Sequence, residues 1–65
     1  MRLLTPRARQ ILELRAEGLC AKQIASDLDI ATSTVKNYLH SINCQLGARN
    51  IAHAMRIAFR VGLLK

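Results

Sequence analysis

Four side chains in this 65-residue chain are of metal-ligating type: Cys20, His40, Cys44 and His53. His40 and Cys44 stand four residues apart, the spacing that puts two side chains on one face of a helix. A zinc set built from all four is conceivable, but structural zinc sites use paired knuckles such as CxxC, and the chain has none. No metal and no cofactor is therefore expected. Catalysis finds no better footing. Only four acidic residues are available, and no nucleophile–base pair or phosphate-cradling loop is recognisable, so an enzyme is not expected.

A different chemistry lies along residues 32–46. Val35, Leu39, Ile42 and Leu46 are spaced by 4, 3 and 4, the mark of an amphipathic helix. At ~100° per residue, turning those four inward leaves Ser33, Asn37, His40 and Cys44 outward, flanked by Lys36 and Ser41. An ordinary solvated helix face mixes Glu with Lys. This one carries hydroxyls, an amide, an imidazole and an ammonium, with no acid from Thr32 to Leu46. Such groups suit the edges of base pairs and phosphates: Lys to guanine, Asn to adenine, Ser or Thr to either. The whole chain agrees, with 10 Lys and Arg against 4 Asp and Glu, a net charge of +6 and a pI near 10.4. That balance points to an anionic partner.

The elements that position this face separate cleanly. Helices are expected at about 6–17, 21–28, 32–46 and 51–61. Thr5 caps the first and Pro6 suits its first position. Gly18 ends it. Cys20 is a weak cap for the second, with Gln23 at its third position, and Asp29 ends it because Asp tolerates left-handed geometry. Hydroxyls in Thr32-Ser33-Thr34 are placed to cap the third, which Gly47 ends. Asn50 caps the fourth and Gly62 stops it. With one Pro, three Gly and 3% aromatics, the fold class is all-α, a core of Leu, Ile and Ala. The second and third helices, joined through Asp29-Ile30-Ala31, form a helix-turn-helix with the third as recognition helix and Ile30 plugging the gap.

With these residues in place, the chain resembles the LuxR-type (GerE-like) helix-turn-helix domain of bacterial transcription regulators from Leu4 to Leu64. The opening Leu4-Thr5-Pro6-Arg7, the Ala16–Leu19 stretch, and Lys22, Ile24 and Ala25 carry the likeness. So do Ser33-Thr34-Val35-Lys36-Asn37, Leu46-Gly47, Arg49-Asn50 and Val61-Gly62-Leu63. The resemblance implies a single four-helix DNA-binding domain over residues 1–65, bound as a homodimer to an inverted repeat. It puts Lys36, Asn37 and His40 at bases. It puts Lys22, Ser33 and Thr34 at phosphates, with Tyr38 near the backbone or against the first helix. Where the family commonly has basic residues at the end of the recognition helix, this chain has Cys44 and Gln45. Fewer phosphate contacts imply weaker and less salt-dependent binding.

The fourth helix is apolar over roughly 220°, whereas ~100° suffices for a core-facing helix. Ile51, Ala54, Met55 and Ala58 are expected to face the core. The surplus lies on two flanks, Ile57 with Val61 and Ala52 with Phe59, and implies a subunit contact unless Leu63-Leu64 or Leu3-Leu4 folds back over one of them. Either flank fits dimerisation. RNA polymerase or a larger LuxR-type regulator is a further expected partner of the family. No apolar run reaches membrane-spanning length, so no membrane partner is expected. The chain reads as cytoplasmic, bacterial or phage-encoded, with reduced thiols. In the family this unit usually follows a receiver or ligand-binding domain, so the chain reads either as a natural stand-alone protein or as an excised domain. An alternative function, suggested by the weak caps and the uncharged end of the recognition helix, is a stand-alone interaction protein that heterodimerises with a full-length LuxR-type regulator and inhibits it.

Overall fold

The computed structural model describes residues 4–64. They form four helices, α1 (Pro6–Ala16), α2 (Ala21–Leu28), α3 (Thr32–Leu46) and α4 (Ile51–Arg60). The bounds match the expected ones except that α1 and α4 each end one residue earlier. Both ends are set by backbone geometry. Each helix closes when the second or third residue past it turns its N–H back to the carbonyl five positions earlier. The bonds are Leu19 to Leu14, Ile30 to Ala25, Ala48 to Asn43 and Leu63 to Ala58, at 3.4, 3.0, 2.8 and 2.8 Å. This closure needs one residue in the left-handed region between the partners. Glycine supplies it three times, but at the end of α2 the residue is Asp29, at φ 56°.

The N-termini are set side chain by side chain. Thr5 Oγ1 accepts the Ala8 N–H at 3.2 Å. Cys20, expected as a weak cap, makes no side-chain cap hydrogen bond of its own, and the Gln23 expected at the third position supports it. Gln23 Oε1 accepts the Cys20 N–H at 2.9 Å, and the sulfur faces the Gln23 N–H in return, completing a capping box. At α4, Asn50 Oδ1 accepts the His53 N–H at 2.9 Å. His53 Nδ1 in turn accepts the Arg49 N–H at 3.1 Å. α3 has neither a side-chain cap hydrogen bond nor a capping box.

α3 is the central helix, packed against α1, α2 and α4, and α1 also lies on α2. The core falls into two clusters. One gathers Ile11, Ile24, Ala25 and Val35, joining the helix-turn-helix to α1. The other gathers Leu4, Ala8, Leu12, Ile42, Ala54, Ala58 and Leu64, fastening α4 to α1 and α3. Tyr38 and Leu39 pack against both. The aliphatic side chains of Ile11, Leu12, Ile24, Val35 and Ile42 are fully buried, each contributing on the order of 1.5–3 kcal/mol by leaving water. Ala54 and Ala58 are fully buried too, and their small size lets α4 pack closely.

The two tail expectations divide. Leu64 is buried against α4 and Leu4 joins the same cluster, whereas Leu3 lies outside the described residues. Ile30 packs into the first cluster from inside the turn, as expected of a plug between the two helices.

Candidate nucleic-acid interface

The outward face of α3 follows from the burial of its inner one. With Val35 and Ile42 sealed and Leu39 and Leu46 half-buried against the second cluster, Ser33, Lys36, Asn37, His40, Ser41, Cys44 and Gln45 are exposed. The two ends of this face differ. Toward the C-terminus the side chains pair along the helix. His40 Nε2 lies 3.8 Å from Cys44 Sγ, and Gln45 Nε2 donates to Ser41 Oγ at 3.4 Å. In the first two turns Ser33, Lys36 and Asn37 make no side-chain hydrogen bond or ion pair among the described residues, so their polar groups are free for a ligand.

The start of α3 departs from expectation in one respect. Ala31 occupies the cap position, with φ −71° and ψ 146°. The hydroxyls of Thr32, Ser33 and Thr34, expected as caps, belong to the first helical turn instead. A side chain reaches the free N–H groups best from the extended cap residue, so these three do not close the end. The amides at the start of a 15-residue helix thus keep donors and a positive dipole end for an anion.

The remaining expected contacts take different places. Lys22 is exposed in the first turn of α2. Thr34 and Tyr38 are half-buried and, with Asn37 and Ser41, line a shallow depression on α3. Tyr38 thereby has two roles, its ring buttressing both core clusters and one edge reaching the surface. The four metal-ligating types do not gather at one place, although His40 and Cys44 stand as a pair. Among the described residues no group of three or more His, Cys, Asp or Glu could hold a metal ion. His53 is engaged in the α4 cap. The Cys20 thiol is held below its ordinary range, chiefly by the backbone N–H of Gln23 at the start of α2, with lesser help from the N–H groups of Lys22 and Cys20 and from Arg15.

On α4, Ile51, Ala54, Met55 and Ala58 face the core as expected. Of the two surplus flanks, Phe59 is half-exposed and borders a groove against α1, with Glu13, Leu14, Glu17 and Leu63. Val61 is 52% exposed, and Ile57 is half-buried and, among the described residues, belongs to neither cluster. The sequence reading passed over a second basic feature. Arg49, His53, Arg56 and Arg60 recur at 4, 3 and 4, one stripe on the outer side of α4, and no Asp or Glu occurs after Asp29. The spacing alone was enough to find it.

Residues 2–58 match the family model described as bacterial regulatory proteins, luxR family. The chain belongs to the luxR family. This LuxR-family chain is 35% identical over 63 residues to the spore germination protein GerE of Bacillus subtilis (strain 168), covering 97% of the chain and 85% of that protein. A solved structure of the transcription factor GerE superposes with a TM-score of 0.95 at 31% identity, covering 100% of this chain and 97% of that one. It is also 34% identical over 61 residues to the transcriptional regulatory protein FixJ of Bradyrhizobium diazoefficiens, but spans only 30% of that protein's length. The chain thus carries the helix-turn-helix DNA-binding domain of the luxR family of bacterial regulatory proteins. No helix among the described residues is long and apolar enough to cross a membrane.

Proposed function

We propose that the chain is a sequence-specific regulator that binds an inverted-repeat DNA site as a homodimer, with α3 in the major groove. The observation that carries this is the outer face of α3, acid-free and exposed, with Ser33, Lys36 and Asn37 unpaired in its first two turns. Lys36, Asn37 and His40 contact bases. Lys22, Ser33, Thr34 and Tyr38 hold phosphates, joined by the uncapped amides at the start of α3. Residues 1–65 act as one DNA-binding unit in the bacterial cytoplasm.

Dimerisation through α4 draws support from its two apolar flanks, half-buried Ile57 with exposed Val61, and exposed Ala52 with exposed Phe59. RNA polymerase, or a larger regulator of the same family, is the protein partner. A second reading, an inhibitor that heterodimerises with such a regulator, gains from one observation: the far end of the reading face, Cys44-Gln45, is uncharged and its side chains are engaged within the helix. Selection of bound sequences from random DNA tests the first reading. The expected result is a palindromic site with regular half-site spacing. Recovery of no enriched sequence would sink it and leave the inhibitor.

A further inference from the structure

We propose that His40 and Cys44 chelate a thiophilic divalent cation of the zinc class on the outer face of α3, and that this cation and DNA exclude one another there. The exclusion rests on the reading of α3 as the DNA-contacting helix; the chelation does not.

The geometry is that of a two-tooth chelate. Zinc takes imidazole nitrogen at about 2.0–2.1 Å and thiolate sulfur at about 2.3 Å, so a tetrahedral ion spans an N···S separation of about 3.6 Å. His40 Nε2 and Cys44 Sγ stand 3.8 Å apart. A side-chain rotation of a few tenths of an ångström closes the difference. The i, i+4 register on a continuous helix holds both donors on one side without loop movement. Both residues are exposed, so a hydrated ion arrives and sheds two waters without opening the core.

The donor set selects the ion. One imidazole and one thiolate suit zinc and its soft neighbours, whereas magnesium and calcium require oxygen ligands. No carboxylate occurs after Asp29. The other thiol and imidazole are otherwise engaged. The Cys20 sulfur faces the Gln23 N–H, and His53 Nδ1 accepts from Arg49. On binding, the Cys44 S–H bond breaks, a sulfur–metal bond forms and the proton goes to solvent. His40 donates its Nε2 lone pair and keeps its proton on Nδ1. The seat gains one positive charge, and water fills the remaining positions. That hydrated ion stands between Asn37 and Cys44, where a base pair must come to be read.

Cobalt(II), a spectroscopic substitute for zinc, tests the seat directly. Titrated into the reduced full chain, it is expected to produce a sulfur-to-cobalt charge-transfer band saturating at one ion per chain. Cys44→Ser abolishes the band, His40→Gln weakens binding at least tenfold, and Cys20→Ser changes neither. A band that survives Cys44→Ser, or an affinity indifferent to His40→Gln, overturns the chelate. For the exclusion, zinc is added to each chain on the DNA sequence that wild type selects. A tenfold or greater loss of wild-type affinity is expected, against less than twofold for Cys44→Ser, each relative to its own zinc-free value. Equal sensitivity of the two overturns the exclusion. Absence of DNA binding without zinc counts against the DNA reading instead, and the cobalt titration still decides the chelate.

Discussion

The Ile30 N–H donates to the Ala25 carbonyl at 3.0 Å across Asp29, whose backbone is left-handed at φ 56° and ψ 48°. This single closure ends α2 and sets the direction in which α3 leaves. It also folds the Ile30 side chain into the cluster of Ile24, Ala25 and Val35. The angle between scaffold and recognition helix is therefore fixed by a residue that a strained backbone makes replaceable. Asp29→Gly should stabilise the fold by about 0.5–1 kcal/mol, and Asp29→Val should destabilise it by roughly 1–2 kcal/mol, through the left-handed penalty alone. Urea unfolding measures both; equal stability of the two variants would refute the assignment.

Lys36 and Lys22 are expected to fail in different ways. If Lys36 reads a base, Lys36→Ala relaxes selectivity at one position, by about 1–3 kcal/mol between right and wrong base. Lys22→Ala, at a phosphate, weakens binding to all sequences alike and flattens the dependence of log K on log salt by about 0.9. Titrations at several salt concentrations, on the selected site and on a one-base variant, distinguish the two.

His53 and Asn50 cap α4 together, the imidazole serving the Arg49 N–H and the amide serving the His53 N–H. His53→Ala removes an acceptor at the entry to α4 and should cost about 0.5–1 kcal/mol, within the range of cap deletions. His53→Gln keeps an acceptor within reach and should recover most of the loss. Thermal unfolding of the three chains checks the order.

Cys20 should react faster with iodoacetamide when folded than when unfolded. The Gln23 N–H and its neighbours lower its pKa, so at any pH below the ordinary thiol value more of it is thiolate, the reactive form. The excess should shrink as pH rises past that value and both states ionise. The comparison uses Cys44→Ser, native and in urea. Equal rates at neutral pH would remove the claim.

Val61 and Ile57 form the α4 flank that leaves the core clusters alone. Val61→Glu should give a monomer by sedimentation with little loss of fold, since Val61 is 52% exposed. Phe59→Glu tests the other flank. A wild-type chain that stays monomeric at high concentration would refute dimerisation through α4.

Much of this was legible from residue types and spacing. The 4-3-4 spacing of Val35, Leu39, Ile42 and Leu46 determined both the helix and its outer face, because a 3.6-residue period leaves no choice about which side an aliphatic stripe buries. Thr5, Asn50, Gly47 and Gly62 marked helix ends by local chemistry acting over a few residues. Cys20 is the weak cap its residue type implies, and the Gln23 seen at the third position supplies the bond to its N–H. The hydroxyls of Thr32–Thr34 were misplaced by one position, enough to turn an expected closed end into an open one.

What the sequence determined alone was the composition of each face, since local periodicity and capping depend on neighbours within one or two turns. Tertiary structure decided what those faces meet. It made Tyr38 a buttress between two clusters. It also buried Leu64 against Ala58 while leaving Phe59 beside an open groove. These outcomes depend on how distant segments pack and on side-chain rotamers, and no local pattern encodes either.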